Sequence, residues 1–519
     1  MIELTLYSPK SILFAIICVA TVLRCIYSQW VAWRLPPGPS ISFFTIWSKD
    51  FELPSAFAWL VYADWQKIFG DIIYFNVFGN PLLVLNSASA AHELLENRSA
   101  IYSSRPVRTM QTELMGFDFV FSGMPYGPSF KEHRSLFQKH FQPRAISKYH
   151  PGIIKHTHTL IRNLYDTPNN LEHHLRSGVN NRTSAAVIME ICYGHHIAEK
   201  GDEYVALADE ALAAVNQSSI FGSYMVDYLP WLKYVPSWMP GAGFKKQAKE
   251  WRGLAEKMLN SPFDMANRKI VKGAAEPCMM TLELEDWFAK GSPNDNRQTL
   301  VKNVAAGAYA AAVDTTMSTL SSFFLAMVLH PEIQDLARSE LDRVIPTDRL
   351  PLYSDRSELP IIDYLAWETM RWNPSVNIAL AHSVTEDDEY RGYRIPKGTT
   401  ILANIWTILH DPQRYPDPKK FIPQRFADTK GNSEKQINPI PDQAFGFGRR
   451  ICPGRFLAFD TIWIAMATIL SVYQIAKVCD EKGNPIEPDV AYTPGLISRP
   501  KQFPFRLIPR AHKLSALSD

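Results

Sequence analysis

One stretch constrains the chain more than any other: Phe445-Gly446-Phe447-Gly448-Arg449-Arg450-Ile451-Cys452-Pro453-Gly454. Glycines flank a single cysteine, so the backbone there can turn left-handed and come closer to a flat object than side chains would allow. The apolar run from Arg455 to Leu470 reads as a helix that begins directly after Pro453-Gly454. Cys452 then lies near a helix N-terminus, where unpaired amides and the helix dipole favour a thiolate over a thiol. A thiolate held this way suits axial ligation of haem iron. The alternative is a tight turn around a buried structural cysteine.

Composition removes several other readings. The 519 residues carry 54 Lys+Arg against 52 Asp+Glu, and a formal net charge of +2 gives no reason to expect nucleic acid. With 46% hydrophobic and 12% aromatic residues the chain can bury a large core. Its six cysteines, at positions 18, 25, 192, 278, 452 and 479, form no Cys-x-x-Cys pair. That spacing offers neither a disulfide nor a zinc framework and favours a reducing compartment.

The cysteine stretch fits Phe-x-x-Gly-x-Arg-x-Cys-x-Gly at every fixed position and resembles the haem-binding signature of the cytochrome P450 monooxygenases. The resemblance implies a mostly α fold with small β-sheets, of the α+β class, behind an N-terminal transmembrane helix. It also implies haem b (iron protoporphyrin IX) bound by Phe445, Arg450 and Gly454, with Cys452 as axial ligand. In Phe130-Lys-Glu-His-Arg134 the family usually has Trp-x-x-x-Arg, so Arg134 fits as a propionate partner and Phe130 departs. Glu368-Thr-Met-Arg371 and Phe421-Ile-Pro-Gln-Arg425-Phe426 resemble the family's buried charge triad, and Val376 to Leu380 would line the pocket with His382 meeting a propionate.

Residues 300 to 330 read as one long helix closed by Pro331, thinned by Ala305-Ala-Gly-Ala-Tyr-Ala-Ala-Ala312 so that a ligand can lie on its backbone. Asp314-Thr315 follows, an acid and an alcohol in an apolar helix. Taken alone the pair reads as a local cap or kink. With Ala311-Ala-Val before it, it resembles the family's oxygen-activation motif with Ala312 in place of glycine. That assigns Thr315 to positioning a hydrogen bond and Asp314 to relaying protons.

The apolar run from Ser11 to Leu23, continuing past Arg24 toward Trp30 and Trp33, is expected to anchor the chain in a membrane. This divides it into an anchor, 1–34, and a haem-thiolate catalytic domain, 35–519, joined by a stiff extended connector at Leu35-Pro-Pro-Gly-Pro39. A hairpin is expected over 71–85, with helices at Ala88–Glu96 and Phe130–Phe141. Thr109–Met124 is expected as a loop over the cofactor. The histidine pairs at 156/158, 173/174 and 195/196 are expected at the surface. Tyr228 to Gly241 reads as an apolar loop able to dip into a membrane or to pack in the core, with Lys245-Lys246 as headgroup contacts. Asn97, Asn181 and Asn216 each open an Asn-x-Ser/Thr sequon, left unmodified on a cytosolic body.

The function implied is oxidation of a lipophilic small molecule by dioxygen, with electrons from an NADPH-cytochrome P450 reductase, on a single-pass protein of the endoplasmic reticulum. Terpenoid or polyketide tailoring in a fungus is the preferred pathway class. Met115, Phe117, Phe119, Phe121, Ile378, Leu380, Leu496 and Ile497 are the expected substrate contacts, and Lys131, Lys139, Arg449 and Arg455 the reductase contacts. The competing readings are a P450-fold isomerase, dehydratase or peroxide-using enzyme, a haem protein that binds a ligand without turnover, and a cofactor-free membrane scaffold.

Overall fold

A computed structural model describes residues 34–39, 54, 56–166, 183–198, 201–219, 223–289, 291, 296–430 and 441–510, with Val19 and Lys513. The expected anchor, apart from Val19 and Arg34, lies outside the described residues, as do Asn181, His173 and His174. The longer helices are α1 (Ala58–Phe69), α2 (Pro128–Phe141), α3 (His150–Asp166), α4 (Thr183–Tyr193), α5 (Glu203–Ser219) and α6 (Gly243–Val271). They continue with α7 (Met279–Ala289), α8 (Asn296–Leu329), α9 (Pro331–Val344), α10 (Pro360–Trp372) and α11 (Arg455–Val472). The strands are β1 (Ile72–Val77), β2 (Asn80–Leu85), β3 (His382–Ser383), β4 (Asp388–Tyr390), β5 (Tyr393–Ile395), β6 (Thr400–Ala403), β7 (Tyr473–Ala476) and β8 (Arg506–Pro509). A mostly helical body therefore carries one four-stranded sheet, ordered β1-β2-β6-β3, and two two-stranded ones.

The apolar run Leu82-Leu-Val-Leu85 becomes a strand because both of its faces are covered. Leu83 and Leu85 pack with Ile401, Ala403 and Ile405, while Leu82 and Val84 pack with Tyr62 and Phe75. Alternate side chains of a strand point to opposite faces, so a continuous apolar run fits a sheet buried on both sides. The β1–β2 turn, read from the sequence as Phe78-Gly-Asn-Pro81, is shorter: Phe78 and Gly79 both have positive φ (50° and 85°), and β2 resumes at Asn80.

Helices α8 and α11 are apolar all round, and such helices belong in a core. Both are long and apolar enough to cross a membrane, yet 78% and 72% of their apolar windows are buried. They pack on each other in the main core, with α10 against both. The proline connector is held to the body as well as stiff: Pro37 O accepts from Tyr74 N at 2.9 Å, and Arg34 pairs with Glu389. A Cβ on Gly38 would sit 1.7 Å from Tyr74 O, so that backbone approach admits only glycine.

Two expectations about this body are corrected. The segment 109–124 contains a π-helix, Thr109–Leu114, and a 3₁₀ turn, Phe121–Gly123. Nor are the histidines a surface set: His156 is buried against Glu190 (2.7 Å) and His195 reaches the buried Asp202 (2.8 Å), each imidazole meeting a carboxylate that needs a donor.

Candidate active site

The cysteine loop is shaped by contacts at its glycines. Gly446 and Gly448 have φ of 85° and 51°. At Gly448 an added Cβ would fall 2.2 Å from Leu95 O, in the π-helix Glu93–Asn97. Gly454, with φ −90°, is not left-handed; it caps α11, and a Cβ there would meet Phe137 at only 3.7 Å. Phe445 O accepts from Cys452 N at 2.8 Å, closing the loop.

Burial of this loop works against the expected thiolate as long as no cation is bound. Desolvation pushes the Cys452 thiol up, and the N–H groups of Gly454 and Arg455 with the guanidiniums of Arg134 and Arg455 offset it only in part. A thiol so buried is deprotonated by coordination to a cation, which supplies the charge the helix terminus lacks.

Above the loop lies a cavity of about 300 Å³. Its apolar wall includes Val120, Phe121, Val376 and Leu380, and α8 presents Gly307, Ala308, Ala311 and Ala312. Of the nominated site residues Arg134, Thr315, His382, Phe445, Arg450, Cys452 and Gly454 all line the cavity, and Asp314 does not. Thr315 Oγ1 donates to Ala311 O at 3.0 Å, the back-bond of a helical threonine. Asp314, buried, accepts from Asn216 Nδ2 on α5 at 3.1 Å. Among the expected substrate contacts, Phe121 and Leu380 line this cavity; Ile378 and Leu496 line a smaller neighbouring one that shares Ala379 and Leu380. Met115, Phe117 and Phe119 are core residues and line neither.

Three arginines gather at the cavity edge. Arg450 Nε donates to Ser103 O and Nη2 to Met124 O, both at 2.7 Å, with the guanidinium 3.6 Å from the centre of the Phe130 ring. Phe130, where the family usually has Trp, thus offers a π-face to a cation. Arg105 was not nominated from the sequence, because a lone arginine outside any motif carries no local signal. It donates from Nε to Ser122 O (2.8 Å) and from Nη1 to Leu380 O (2.6 Å) and Ala381 O (2.8 Å), tying two walls together. Arg134 makes no hydrogen bond or ion pair with another described side chain.

Burial pushes all three guanidiniums down, Arg450 to about 10, and Arg105 and Arg134 each lie close enough to Arg450 for mutual repulsion. Burial, then Arg105, hold His382 neutral, with Nδ1 donating to Tyr102 O at 2.7 Å. No Asp or Glu side chain lines the cavity among the described residues. Buried cations without carboxylates call for an anionic ligand, and a dicarboxylate macrocycle over a cysteine fits that charge pattern.

Below the site, Glu368 accepts from Arg371 (2.7 and 2.9 Å), Arg425 (3.2 and 3.1 Å) and Ile422 N (2.7 Å). Arg371 also donates to the carbonyls of Leu409, Pro418 and Lys420. The expected triad is thus present and well supplied with partners, as a buried ionic network must be to hold.

The family model described as cytochrome P450 matches residues 36–505. A cytochrome P450 monooxygenase of Armillaria gallica is 37% identical over 94% of each chain, and cytochrome P450 monooxygenase 98 of Postia placenta is 38% identical over 97% of this chain and 96% of its own. Tryptamine 4-monooxygenase of Psilocybe cyanescens is 36% identical over 93% of this chain and 94% of its own. A zebra fish cytochrome P450 solved with progesterone superimposes with a TM-score of 0.71 at 22% identity, covering 87% of this chain and 99% of that one. With that fold, a cysteine at the cavity floor and relatives alike along nearly their whole length, the chain belongs to the cytochrome P450 family, as a haem-dependent monooxygenase with a cysteine-ligated haem b.

Proposed function

We propose that this monooxygenase oxidises a hydrophobic small molecule with electrons from an NADPH-cytochrome P450 reductase. The balance is RH + O₂ + NADPH + H⁺ → ROH + H₂O + NADP⁺. The observation that carries this reading is the apolar cavity with Cys452 at its floor and a carboxylate-free set of arginines at its edge. Haem would supply dioxygen binding and cleavage of the O–O bond. Cys452 would hold its iron, and Arg105, Arg134 and Arg450 would take its carboxylates. His382 joins them only on gaining a second proton, since its Nδ1–H is already given to Tyr102 O.

The residues of the chain exclude water and move protons. Ala311 and Ala312 leave room beside α8, Thr315 holds a hydrogen-bond partner at the cavity wall, and Asp314 passes protons from solvent toward it. The apolar lining favours a lipophilic substrate, and a fungal terpenoid or polyketide is our preferred class. The tryptamine-named relative makes aromatic amines the first other class to assay.

We further infer that residues 1–34 anchor the catalytic domain, 35–519, in the endoplasmic reticulum membrane. The reductase would dock where Lys131 and Arg449 stand exposed on the Tyr126 ring (5.1 and 5.3 Å). Lys139 is less available, being paired with the buried Glu283 at 2.7 Å, and Arg455 donates to Cys452 O at 3.1 Å. The test is the absorption spectrum of the reduced, carbon monoxide-bound protein and of Cys452→Ala. A thiolate-type Soret band in the parent and its loss in the variant are expected; equal spectra would overturn the assignment of Cys452. NADPH consumption and product formation with reductase and lipophilic compounds then test turnover.

A further inference from the structure

Asp314 and Thr315 adjoin in sequence but are turned apart. Thr315 lines the cavity, whereas Asp314 is 4% exposed, lies outside the lining and accepts at Oδ2 from Asn216 Nδ2. No other described side chain bonds to Asp314. Asn216 sits in the last turn of α5, and that turn is tied to the segment after Arg105. Gln111 Nε2 donates to Ser219 Oγ (2.8 Å) and Ser218 Oγ (3.1 Å). Arg108 donates to Ser218 O (2.7 Å) and Ser219 O (3.1 Å). The same segment runs on to Phe121, which lines the cavity and lies against α8 at Gly307, where an added Cβ would be 3.5 Å from its ring. A continuous set of contacts thus leads from the cavity roof through the end of α5 to Asp314.

We propose that Asn216 is a positioning residue, holding the Asp314 carboxylate on the α5 side until a ligand under the 108–123 segment shifts the last turn of α5 and releases it toward Thr315. This rests on the relay role proposed above for Asp314. The Asn216 amide donates to this carboxylate and has no proton to pass on, so the held acid is turned away from the cavity. Proton delivery then waits on cavity occupancy, and reducing equivalents are not drained to dioxygen when the cavity is empty. The same bond makes Asn216 a poor acceptor for a glycan, because its amide nitrogen is committed inside the fold.

The test uses full-length, haem-loaded protein with no lipophilic compound added. Asn216→Leu removes the donor at nearly constant shape, Asn216→Gln keeps a donor on a longer arm, and Gln111→Ala loosens the α5 turn without touching either partner. The first readout is the C–O stretching band of the reduced carbon monoxide complex in light and heavy water. In the parent it is expected to be insensitive to deuterium. In Asn216→Leu a deuterium-sensitive component appears, and it disappears in the Asn216→Leu/Asp314→Asn double variant.

The second readout is the return of chemically reduced protein to its oxidised spectrum after mixing with dioxygen. One electron and one proton leave on each dioxygen as a hydroperoxyl radical, which disproportionates to hydrogen peroxide and dioxygen. This return is expected to be about tenfold faster in Asn216→Leu, the scale of one lost hydrogen bond, smaller in effect but of the same sign in Gln111→Ala, and near parental in Asn216→Gln. Parental bands and rates in both Asn216→Leu and Gln111→Ala, with reductase-driven turnover lowered by Asp314→Asn, would overturn the holding role and leave the relay intact. Acceleration that persists in the double variant would also overturn it. Unchanged turnover in Asp314→Asn would instead overturn the relay reading itself.

Discussion

At Gly448 the backbone is left-handed and the space beside its Cα is already taken by Leu95 O, 2.2 Å from any added Cβ. Gly448→Ala therefore combines a left-handed alanine with a clash against backbone, and each effect is of order 1–3 kcal/mol. The expected outcome is loss of at least about 2 kcal/mol in urea unfolding and a lowered haem-to-protein ratio by absorbance. Gly454→Ala, with ordinary φ and only Phe137 nearby, should keep most of its haem. The motif made both glycines legible in the sequence but did not rank them, since the carbonyl that crowds Gly448 comes from a distant π-helix. His382 was legible as a candidate, and its protonation state was not. Burial and two arginines hold its pKa well below the usual range in the cofactor-free protein, while the unfolded chain binds a proton near the ordinary value of about 6.5. The unfolded state then binds more protons as the pH falls below that value, so His382 lowers stability on the acid side and is neutral in effect above it. Replacing His382 with glutamine should flatten that part of the pH dependence of the cofactor-free protein's unfolding midpoint; an unchanged profile would count against a buried neutral imidazole.

Among the elements, α8 and α11 were the most legible, because long apolar runs with a proline just past one end leave little choice of structure. The charges on α10 were legible only with the arginine segment beside them. Glu368 has its oxygens filled by two guanidiniums and a backbone N–H, and is fully buried. Glu368→Ala leaves the buried Arg371 and the largely buried Arg425 without their anion, so a loss of about 3–5 kcal/mol is expected, read as a lower urea midpoint or as failure to recover folded protein. Glu368→Gln, which keeps one acceptor, should cost less. A loss below about 1 kcal/mol for the alanine variant would show the network to be dispensable. On α8 the small residues act by vacancy: Ala311→Leu fills the cavity beside Thr315 and should abolish the spectral shift on adding lipophilic compounds while leaving the carbon monoxide spectrum in place. The segment 109–124 was the least legible, since π-helical and 3₁₀ turns leave neither a 3.6- nor a 2-residue period for a sequence to display.

At the scale of the whole molecule, connector, sheet and apolar loop converge on one side. Pro37 is hydrogen-bonded to Tyr74 on β1, and the β1–β2 turn reaches the loop through Asn80 Nδ2, which donates to Tyr228 O at 3.1 Å, and through the Phe78–Tyr228 ring contact. The sequence left the loop divided between core and surface, because aromatic and proline composition is the same for both. The structure places Trp231, Tyr234 and Trp238 at 59%, 78% and 79% exposure, beyond what core packing requires. Lys245 is not free for headgroups, since its Nζ donates to Lys233 O and Val235 O, both at 2.8 Å, and braces the loop from within; Lys246 is exposed. A braced loop with three outward rings is built to hold them out at little entropic cost. If it rests on a bilayer, each ring contributes about 1–2 kcal/mol of partitioning. Protein lacking residues 1–33 should then bind vesicles of neutral and anionic phospholipid in a flotation assay, and the Trp231→Ser/Tyr234→Ser/Trp238→Ser variant should bind more weakly by at least roughly a hundredfold with its carbon monoxide spectrum unchanged. Equal binding by both proteins would assign the rings to some other contact and leave membrane attachment to the residues before the connector alone.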